Sequence, residues 1–477
     1  MVLSLVFLLA LLLTISRFIP AEGIQIAGMT FKFPTLQKLM VPERQELADI
    51  DSLIIDVDTT IVEVDPLIKH SGEPGSMGLP SGGELTAKDG SILHYNDEGA
   101  SKLAAFFEKL STVAERKSKI HIFHYGDSQI EGDRMTSFIR ERLQNQFGGN
   151  GPGLVPAFNV YNTFAFTQTL SPNFKRYTCF GGDKLTSRKY GVMGSAARFT
   201  PEPRDSFDIN GEVKTGWIEI AANNNAYSRA RSFSQVKMVY NSCITGCLLN
   251  VYENGNLIHQ DSLIKDGKQH TVKLNFPGTP GKLRFEFQSK VSPNISHFIL
   301  EGDLGVQVSN IGMRGSSGTI FGAMDRSLAT QSFGDMNAEL IIMQFGGNSV
   351  PSFRDSSGVR GYANMFKSQL NSIKAMRPSA AIIVIGPSDM SKMVDGIYMT
   401  YPLLPYCVEQ MKRVTMEVGG AYWDLYGAMG GRNSMPSWVS KGLAGNDYIH
   451  FSNRGASIAA QKFYDSFITE YVNWLNK

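Results

Sequence analysis

The amino-acid sequence predicts an α/β fold, a parallel sheet covered by helices on both faces, interrupted by an inserted all-β sandwich. Apolar strand-like segments alternate with helical segments in residues 118–154 and 306–477, a pattern typical of right-handed βαβ units. Between them, residues 155–305 contain short alternating strands separated by Asn, Gly, Pro and Asp turns, which favours a β-sandwich. We therefore expect one discontinuous α/β domain that encloses a second, all-β domain.

The N-terminal 22 residues are expected to direct export. Residues 2–15, VLSLVFLLALLLTI, are continuously apolar. This stretch is shorter than the roughly 20 residues of a transmembrane helix and fits the core of a signal peptide. Because no clear cleavage site follows, residues 1–22 are predicted to be either a signal peptide or an uncleaved N-terminal anchor. Both alternatives predict a periplasmic or extracellular location.

Residues 23–117 are mixed in character. They contain an alternating stretch at 51–64, a Gly/Pro/Ser-rich link and a segment of helical spacing at 100–117. Asp56 and Asp58 resemble the D-x-D-x-T nucleophile motif of haloacid-dehalogenase-type phosphatases. The alternation continues beyond this motif, however, and a Gly/Pro link follows instead of a helix, so a one-sided surface strand is favoured.

The segment IHIFHYGDSQIEGDR, which begins the α/β domain, contains the first candidate catalytic residue. Ser128 directly follows an apolar strand, and a helix is predicted from Ser128 to about Gln146. A serine in this position can cap the helix, act as a nucleophile, or do both. Asp127 is expected to organise the turn. The following FGGNGPG lacks the Lys-Ser/Thr of a phosphate-binding loop and is predicted to end the helix.

A nucleophilic serine needs a base, a group that orients the base, and donors for the developing oxyanion. Asp447 and His450 precede the last predicted helix at a spacing that lets one turn bring their side chains together. Gly315 lies in a turn after one strand, and Asn348 follows the next strand with an amide that can donate. The Ser128 N–H, at the predicted helix N-terminus, is the third candidate donor. Ligands of parallel sheets bind at such strand ends.

These motifs resemble the four blocks of the SGNH (GDSL-type) hydrolases. GDS at 126–128, a glycine turn at 312–315, GGN at 346–348 and DYIH at 447–450 occur in the order of that family. The resemblance implies a three-layer α/β/α, flavodoxin-like domain. It assigns the catalytic triad to Ser128, Asp447 and His450, and the oxyanion hole to Ser128, Gly315 and Asn348. Ser349 stands where the family often has Asp, but the Asn donor is retained.

More narrowly, HYGDSQIEGDR, FGGNGPG and WDLYGAMGG resemble exported bacterial peptidoglycan O-acetylesterases. The resemblance implies a serine esterase that removes O-acetyl groups from peptidoglycan or another polysaccharide, without a metal or organic cofactor. It also implies a carbohydrate-binding role for the sandwich, and we hypothesise that its aromatic residues, or the loop around Trp438, stack on sugars. Two alternatives remain open: a polysaccharide O-acetyltransferase with the same triad, and a non-catalytic glycan-binding protein.

Other features argue against nucleic-acid or metal partners. The formal net charge is +2 without a long basic run, which disfavours nucleic acid. The C-x3-C at Cys243 and Cys247 has no matching pair downstream for zinc, and the pairing of the four cysteines stays open. His121 and His124 are expected to face opposite sides of one strand as packing residues. Membrane contact is expected only through the N-terminal anchor, and the sequence predicts no oligomeric state.

Overall fold

The computed structural model describes residues 47–54, 92–204 and 211–477, together with 24–26, 29–31 and the single residues 14 and 209. The predicted export signal, apart from residue 14, and the Asp56 and Asp58 motif lie outside the described residues. Within these ranges, no helix combines the length and apolarity needed to cross a bilayer.

The secondary-structure elements are numbered in chain order over the described residues. The strands are β1 Ile24–Ile26, β2 Met29–Phe31, β3 Leu93–His94, β4 Lys119–Gly126, β5 Gly153–Pro156, β6 Phe166–Leu170, β7 Lys175–Thr178, β8 Ser195–Arg198, β9 Lys214–Ala222, β10 Gln235–Asn241, β11 Cys247–Glu253, β12 Asn256–Leu263, β13 His270–Asn275, β14 Leu283–Ser289, β15 Asn294–Glu301, β16 Gly305–Gly312, β17 Ala338–Gln344, β18 Ala381–Ile385, β19 Ser391–Val394, β20 Ile397–Thr400 and β21 Ala421–Trp423. The α-helices are α1 Asp97–Ser111, α2 Thr136–Phe147, α3 Arg326–Asp335, α4 Ser356–Met376, α5 Leu404–Glu417, α6 Leu425–Ala428, α7 Ser434–Ser440 and α8 Asn453–Leu475.

The predicted α/β fold with an inserted β-sandwich is confirmed. The central sheet has the strand order β16-β4-β17-β18-β21-β3. Its first five strands are parallel, as expected for βαβ units. The sixth, β3, comes from the N-terminal region and pairs antiparallel with β21. An antiparallel strand at the edge of a parallel sheet is a common variant.

Two helical layers cover the sheet. On β17, Leu340 and Ile342 belong to one buried cluster, and Ile341 and Met343 belong to another, because successive side chains of a strand point to opposite faces. Helices α1, α2 and α8 contribute to the first cluster, and α3, α4 and α5 contribute to the second. Continuous apolar runs such as AELIIMQ therefore mark strands that are buried on both faces.

The insertion folds as two antiparallel sheets. One has the order β13-β10-β15-β8-β7, with β5 also paired to β15, and the other has the order β12-β11-β14-β9-β6. Phe285, Phe287 and Phe298 are buried in the core between the sheets. The predicted hairpin turn joins β11 to β12 through Asn254 and Gly255, whose φ angles are +49° and +89°. Asn and Gly adopt such angles at the least cost.

The N-terminal region adds to the α/β domain. Helix α1 spans Asp97–Ser111 and overlaps the predicted helical segment, but it begins and ends a few residues earlier. Its Phe106 and Phe107 lie in the same buried cluster as residues of α8. The alternating stretch predicted from residue 51 begins as a 3₁₀ helix at Asp51–Leu53, so the strand prediction is wrong there. The buried side chain of Ile50 anchors this segment beside Gly430.

The loop FGGNGPG connects the two domains and lies in close contact with strands of both. It ends α2 as predicted, with Gly148 at φ +74°. A Cβ atom on Gly149 would lie 2.1 Å from the Val306 carbonyl oxygen of β16, and one on Gly151 would lie 2.3 Å from the Leu300 oxygen of β15. Glycine is therefore required where the chain passes between the central sheet and the sandwich.

A buried charge cluster also joins the domains. Glu301 of β15 accepts hydrogen bonds from Lys119 of β4 at 2.7 Å and from Lys237 of β10 at 2.5 Å. His121 Nε2 lies 2.9 Å from the second carboxylate oxygen. Burial alone would raise the pKa of Glu301, but the hydrogen bond from His121 and the nearby cations lower it well below its ordinary value. His124, on the opposite side of β4, is buried between Thr136 and Gln344.

All four cysteines are free thiols. Cys243, Cys247 and Cys407 are buried, and Cys179 is partly buried. Burial raises the pKa of each thiol to between about 11 and about 12. Cys243 and Cys247 thus behave as small packing residues and not as a clip across the turn.

Candidate active site

Four neighbouring strands of the central sheet end in register. Gly312 of β16 pairs with Gly126 of β4, Gly126 pairs with Gln344 of β17, and Gln344 pairs with Ile385 of β18. Because these strands are parallel, the loops that follow them leave from one edge of the sheet. Three of the four predicted motifs follow β4, β16 and β17 at this edge, and the loop that precedes α8 brings the fourth, DYIH, to the same place.

The three residues predicted to form the triad are within hydrogen-bonding distance of one another. Ser128 Oγ lies 2.7 Å from His450 Nε2, and His450 Nδ1 lies 2.7 Å from Asp447 Oδ2. Asp447 Oδ1 accepts the backbone N–H groups of Ile449 and His450, each at 3.0 Å. Partial burial alone would raise the pKa of Asp447, but the hydrogen bonds from His450 and Ile449 lower it below its ordinary value. The carboxylate thus remains ionised and fixes the imidazole orientation.

Ser128 does not begin an α-helix, so that prediction is wrong. Helix α2 begins only at Thr136, and residues between it and Ser128 form turns and a short 3₁₀ helix. Gly132 and Asp133 both have φ near +70°, which interrupts a right-handed helix. The Arg134 guanidinium donates to the Ser128 carbonyl oxygen instead. Ser128 is therefore positioned by a tight turn and an arginine contact, and not as the cap of α2.

The three predicted oxyanion donors line the same cavity as the serine. Gly315 has φ +76°, and a Cβ atom there would meet open space. Among the described residues, neither the Ser128 nor the Gly315 backbone N–H has an acceptor. The Asn348 amide donates to Asp127 Oδ2 at 3.2 Å and to the Ser316 carbonyl at 3.0 Å. The cavity has a volume of about 290 Å³ and also contains Pro387, Ser388 and Met390.

Asp127 links the serine turn to Asn348. Its Oδ1 accepts the backbone N–H of Gln129 at 3.0 Å, and its Oδ2 accepts the Asn348 amide. Burial raises the pKa of Asp127 to about 6, although the contacts with Gln129, His450, Arg134 and Asn348 oppose this shift. The sequence predicted its role in the turn but carried no signal for the contact with Asn348, which lies 221 positions away.

A second cavity of about 300 Å³ opens beside Ser128 and His450. The inserted domain contributes Asn162 and Phe164 to its wall, and Phe164 is 49% exposed. Trp438, by contrast, is only 2% exposed and donates its indole N–H to the Met429 carbonyl. The hypothesis that Trp438 stacks on sugars is therefore wrong, because its ring belongs to the core.

The loop that carries Asp447 and His450 is supported by an aromatic stack. Tyr448 lies parallel to Tyr398 of β20, with ring centroids 3.5 Å apart and planes 9° apart. The Ser391 N–H of β19 donates to the Tyr448 carbonyl at 3.0 Å. Tyr448 has φ +58°, a conformation that costs free energy in a bulky residue. The β19-β20 hairpin thus holds the loop in its strained form, a role that sequence reasoning missed.

Loss of the aromatic stack should reduce catalysis without unfolding the protein. We expect Tyr398→Ala to lower kcat/KM for p-nitrophenyl acetate by roughly five-fold, since an aromatic pair contributes about 1 kcal/mol. The loss should lie mainly in kcat, because Asp447 would hold His450 less firmly in the orientation that the reaction needs. Tyr398→Phe should restore both, and Tyr252→Ala, in the sandwich, is the matched control. Wild-type kinetics in Tyr398→Ala would contradict this role.

The buried Asp127 carboxylate should reduce stability at neutral pH. Its pKa is 3.8 as an ordinary value and about 6 in the folded protein. Between these values the folded state retains a proton that the unfolded chain has released, so the contribution of Asp127 to stability falls as the pH rises. Asp127→Asn should therefore raise the free energy of unfolding at pH 8 by on the order of 1–3 kcal/mol, and much less at pH 4.

Urea unfolding at the two pH values measures this difference. Asp447→Asn is a matched control of opposite sign, because the pKa of Asp447 is lowered and its ionised form stabilises the fold. That variant should lose stability at pH 8. An equal gain for Asp127→Asn at both pH values would show that the stabilisation does not arise from the carboxyl titration.

Comparison with known proteins gives a likeness at the level of structure. No family model and no curated protein sequence matches the chain. A solved structure described as "Peptidoglycan O-acetylesterase in action, 5 min" aligns with a TM-score of 0.63 and 22% identity, over 80% of this chain and 99% of that one. A family two carbohydrate esterase from Cellvibrio japonicus aligns with a TM-score of only 0.25 and 10% identity, over 65% of this chain and 99% of that one. The first likeness confirms the predicted fold: the chain consists of an α/β domain with an inserted β-sandwich.

Proposed function

We propose that this protein is an exported serine esterase that removes O-acetyl groups from a glycan, with cell-wall peptidoglycan as the favoured substrate. The observation that carries this proposal is the unbroken hydrogen-bond chain from Ser128 through His450 to Asp447, with both links at 2.7 Å. This chain borders an open cavity that also holds the candidate oxyanion donors. A nucleophile, an oriented base and donors at one cavity are the requirements of acyl transfer.

The first half of the proposed reaction forms an acyl-enzyme. Ser128 Oγ attacks the ester carbonyl carbon while His450 Nε2 takes the hydroxyl proton. Asp447 accepts the Nδ1 proton of His450 and stabilises the imidazolium that forms. His450 then gives its proton to the sugar oxygen as the ester C–O bond breaks, so the deacetylated sugar leaves and the acetyl group stays on Ser128.

The oxyanion is stabilised by preorganised donors. The Ser128 and Gly315 backbone N–H groups lack acceptors among the described residues and are available for the developing negative charge. Asn348 joins them by exchanging its longer hydrogen bond, the 3.2 Å contact with Asp127, for the oxyanion. In the second half, His450 takes a proton from a water molecule that attacks the acetyl carbonyl. As the bond between Ser128 Oγ and the acetyl group breaks, His450 returns the proton to Oγ and acetate leaves.

Three further features support the choice of substrate and location. The structure of matching fold is described as a peptidoglycan O-acetylesterase. Residues of the inserted sandwich reach the cavity beside His450, which suits a polymeric substrate that extends beyond the reacting ester. The apolar run at residues 2–15 suits export to the compartment where cell-wall glycan lies.

Acetate release tests the proposed reaction. We expect the protein to release acetate from O-acetylated peptidoglycan, and Ser128→Ala to lower the rate by about 10³-fold or more. Ser372→Ala, on the surface of α4, is the matched serine control and should keep the wild-type rate. Adding an acceptor glycan should not divert acetyl groups from water.

Two results would contradict the proposal in different ways. If acetate release falls and acetylated acceptor accumulates when the acceptor glycan is added, the protein is an acetyltransferase. If the folded wild type turns over neither p-nitrophenyl acetate nor any acetylated polysaccharide, the protein is not an esterase. Glycan binding without turnover would then identify it as a non-catalytic glycan-binding protein.

A further inference from the structure

Arg314 occupies an unusual position beside the nucleophile. It follows β16 and directly precedes Gly315, and its side chain is 61% exposed. It lines both cavities that border Ser128 and His450, those of about 290 Å³ and about 300 Å³. Substituents that flank an ester carbonyl at Ser128 can therefore reach this guanidinium.

The guanidinium is held rigidly in spite of its exposure. Its Nε and Nη2 donate to the two carboxylate oxygens of Glu131 at 2.6 and 2.8 Å, a bidentate pair. The guanidinium carbon also lies 5.0 Å from the centroid of the Tyr161 ring, which belongs to the inserted domain. Fixing the side chain in advance lowers the entropy that a ligand must lose on binding.

The donors of Nη1 remain available for a ligand. Among the described residues, Nη1 has no hydrogen-bond partner. A guanidinium presents five donors in a planar fork that matches a carboxylate. Arg314 can therefore keep Glu131 on one edge and bind a second carboxylate through its outer edge.

The charged groups around Arg314 permit an anion to bind there. Arg134 donates to the backbone carbonyls of Ser128, Glu131 and Phe451, and so brings a positive charge without a hydrogen-bonded carboxylate. Of the nearby carboxylates, Glu131 is bound by Arg314 and Asp447 is bound by His450. Asp127, which borders the same cavity, is buried and accepts hydrogen bonds from Gln129 and Asn348. An incoming carboxylate thus meets two guanidinium groups and no unpaired surface anion.

A purely structural role accounts poorly for this arrangement. An ion pair with one partner 61% exposed contributes little to folding, because water and salt screen it. The Gly315 turn is already tied by the hydrogen bond from the Ser316 N–H to the Met313 carbonyl at 3.0 Å. A role in ligand binding explains better why this rigid, exposed guanidinium lies beside the nucleophile.

We propose that Arg314 binds a carboxylate of the substrate and selects acidic glycans over neutral ones. The proposal rests on the esterase function proposed above and specifies its substrate class, a glycan that carries a carboxylate close to the O-acetyl group. Arg314 acts as a binding residue through its outer Nη1 and Nη2 donors. Neutral acetylated polysaccharides lack the group that this residue recognises.

A matched pair of substrates tests the charge directly. O-acetylated peptidoglycan fragments are compared with the same fragments after their carboxylates have been converted to methylamides. We expect the wild-type kcat/KM to be about 10- to 100-fold higher for the free acid, the range for a charge-assisted hydrogen bond. The difference should lie mainly in KM and should shrink at high salt.

Variants of Arg314 assign this preference to the residue. Arg314→Met should lower kcat/KM for the free acid by about 10- to 100-fold, lower it far less for the methylamide, and so remove the preference. Arg314→Lys should keep part of it, since an ammonium attracts a carboxylate without the bidentate geometry. Binding of the two fragments to Ser128→Ala provides a second readout that needs no turnover.

The outcomes separate this proposal from the proposed function. Equal losses for p-nitrophenyl acetate and both fragments in Arg314→Met would overturn it and show that Arg314 positions the Gly315 turn. Equal binding of both fragments to Ser128→Ala would also overturn it. A wild type that binds the free acid preferentially but releases no acetate would leave Arg314 as a carboxylate-binding residue and overturn the esterase function instead.

Discussion

The parallel register of four strands is the constraint on which the site depends. Gly312, Gly126, Gln344 and Ile385 form one row across the sheet, so the loops that follow them start at the same level. This row brings together segments that are far apart in the sequence and lie on both sides of the inserted sandwich. The insertion leaves the register intact because glycines such as Gly151 let the connecting loop pass close to the strands.

The site combines rigid scaffolding with locally unfavourable features. Asp127 is buried with a pKa raised to about 6, and Tyr448 adopts a left-handed backbone conformation. Both features cost stability, and both lie one hydrogen bond or one residue away from a candidate catalytic group. A strained backbone and a buried carboxyl group so close together are typical of functional sites, where the stability of the surrounding fold offsets their cost in free energy.

The sequence predicted what depends on local pattern, and it missed what depends on distant contacts. The buried strands followed from apolar runs, and the Asn254-Gly255 turn followed from its dipeptide. The α-helix expected at Ser128 was wrong because the left-handed Gly132 and Asp133 interrupt it, and periodicity does not reveal backbone angles. Sequence spacing could not reveal the stacking of Tyr398 on Tyr448 or the contact of Arg314 with the Tyr161 ring, since each contact joins residues from separate segments.

Labelling with a fluorophosphonate, followed by mass spectrometry, is the most direct test of Ser128 as the nucleophile. This reagent modifies a serine only where a base and oxyanion donors activate it. We predict one adduct per chain, located on Ser128, that forms in the wild type and is strongly slowed in His450→Ala. An adduct on another residue, or an undiminished labelling rate in His450→Ala, would contradict the assignment of Ser128, His450 and Asp447 as a catalytic triad.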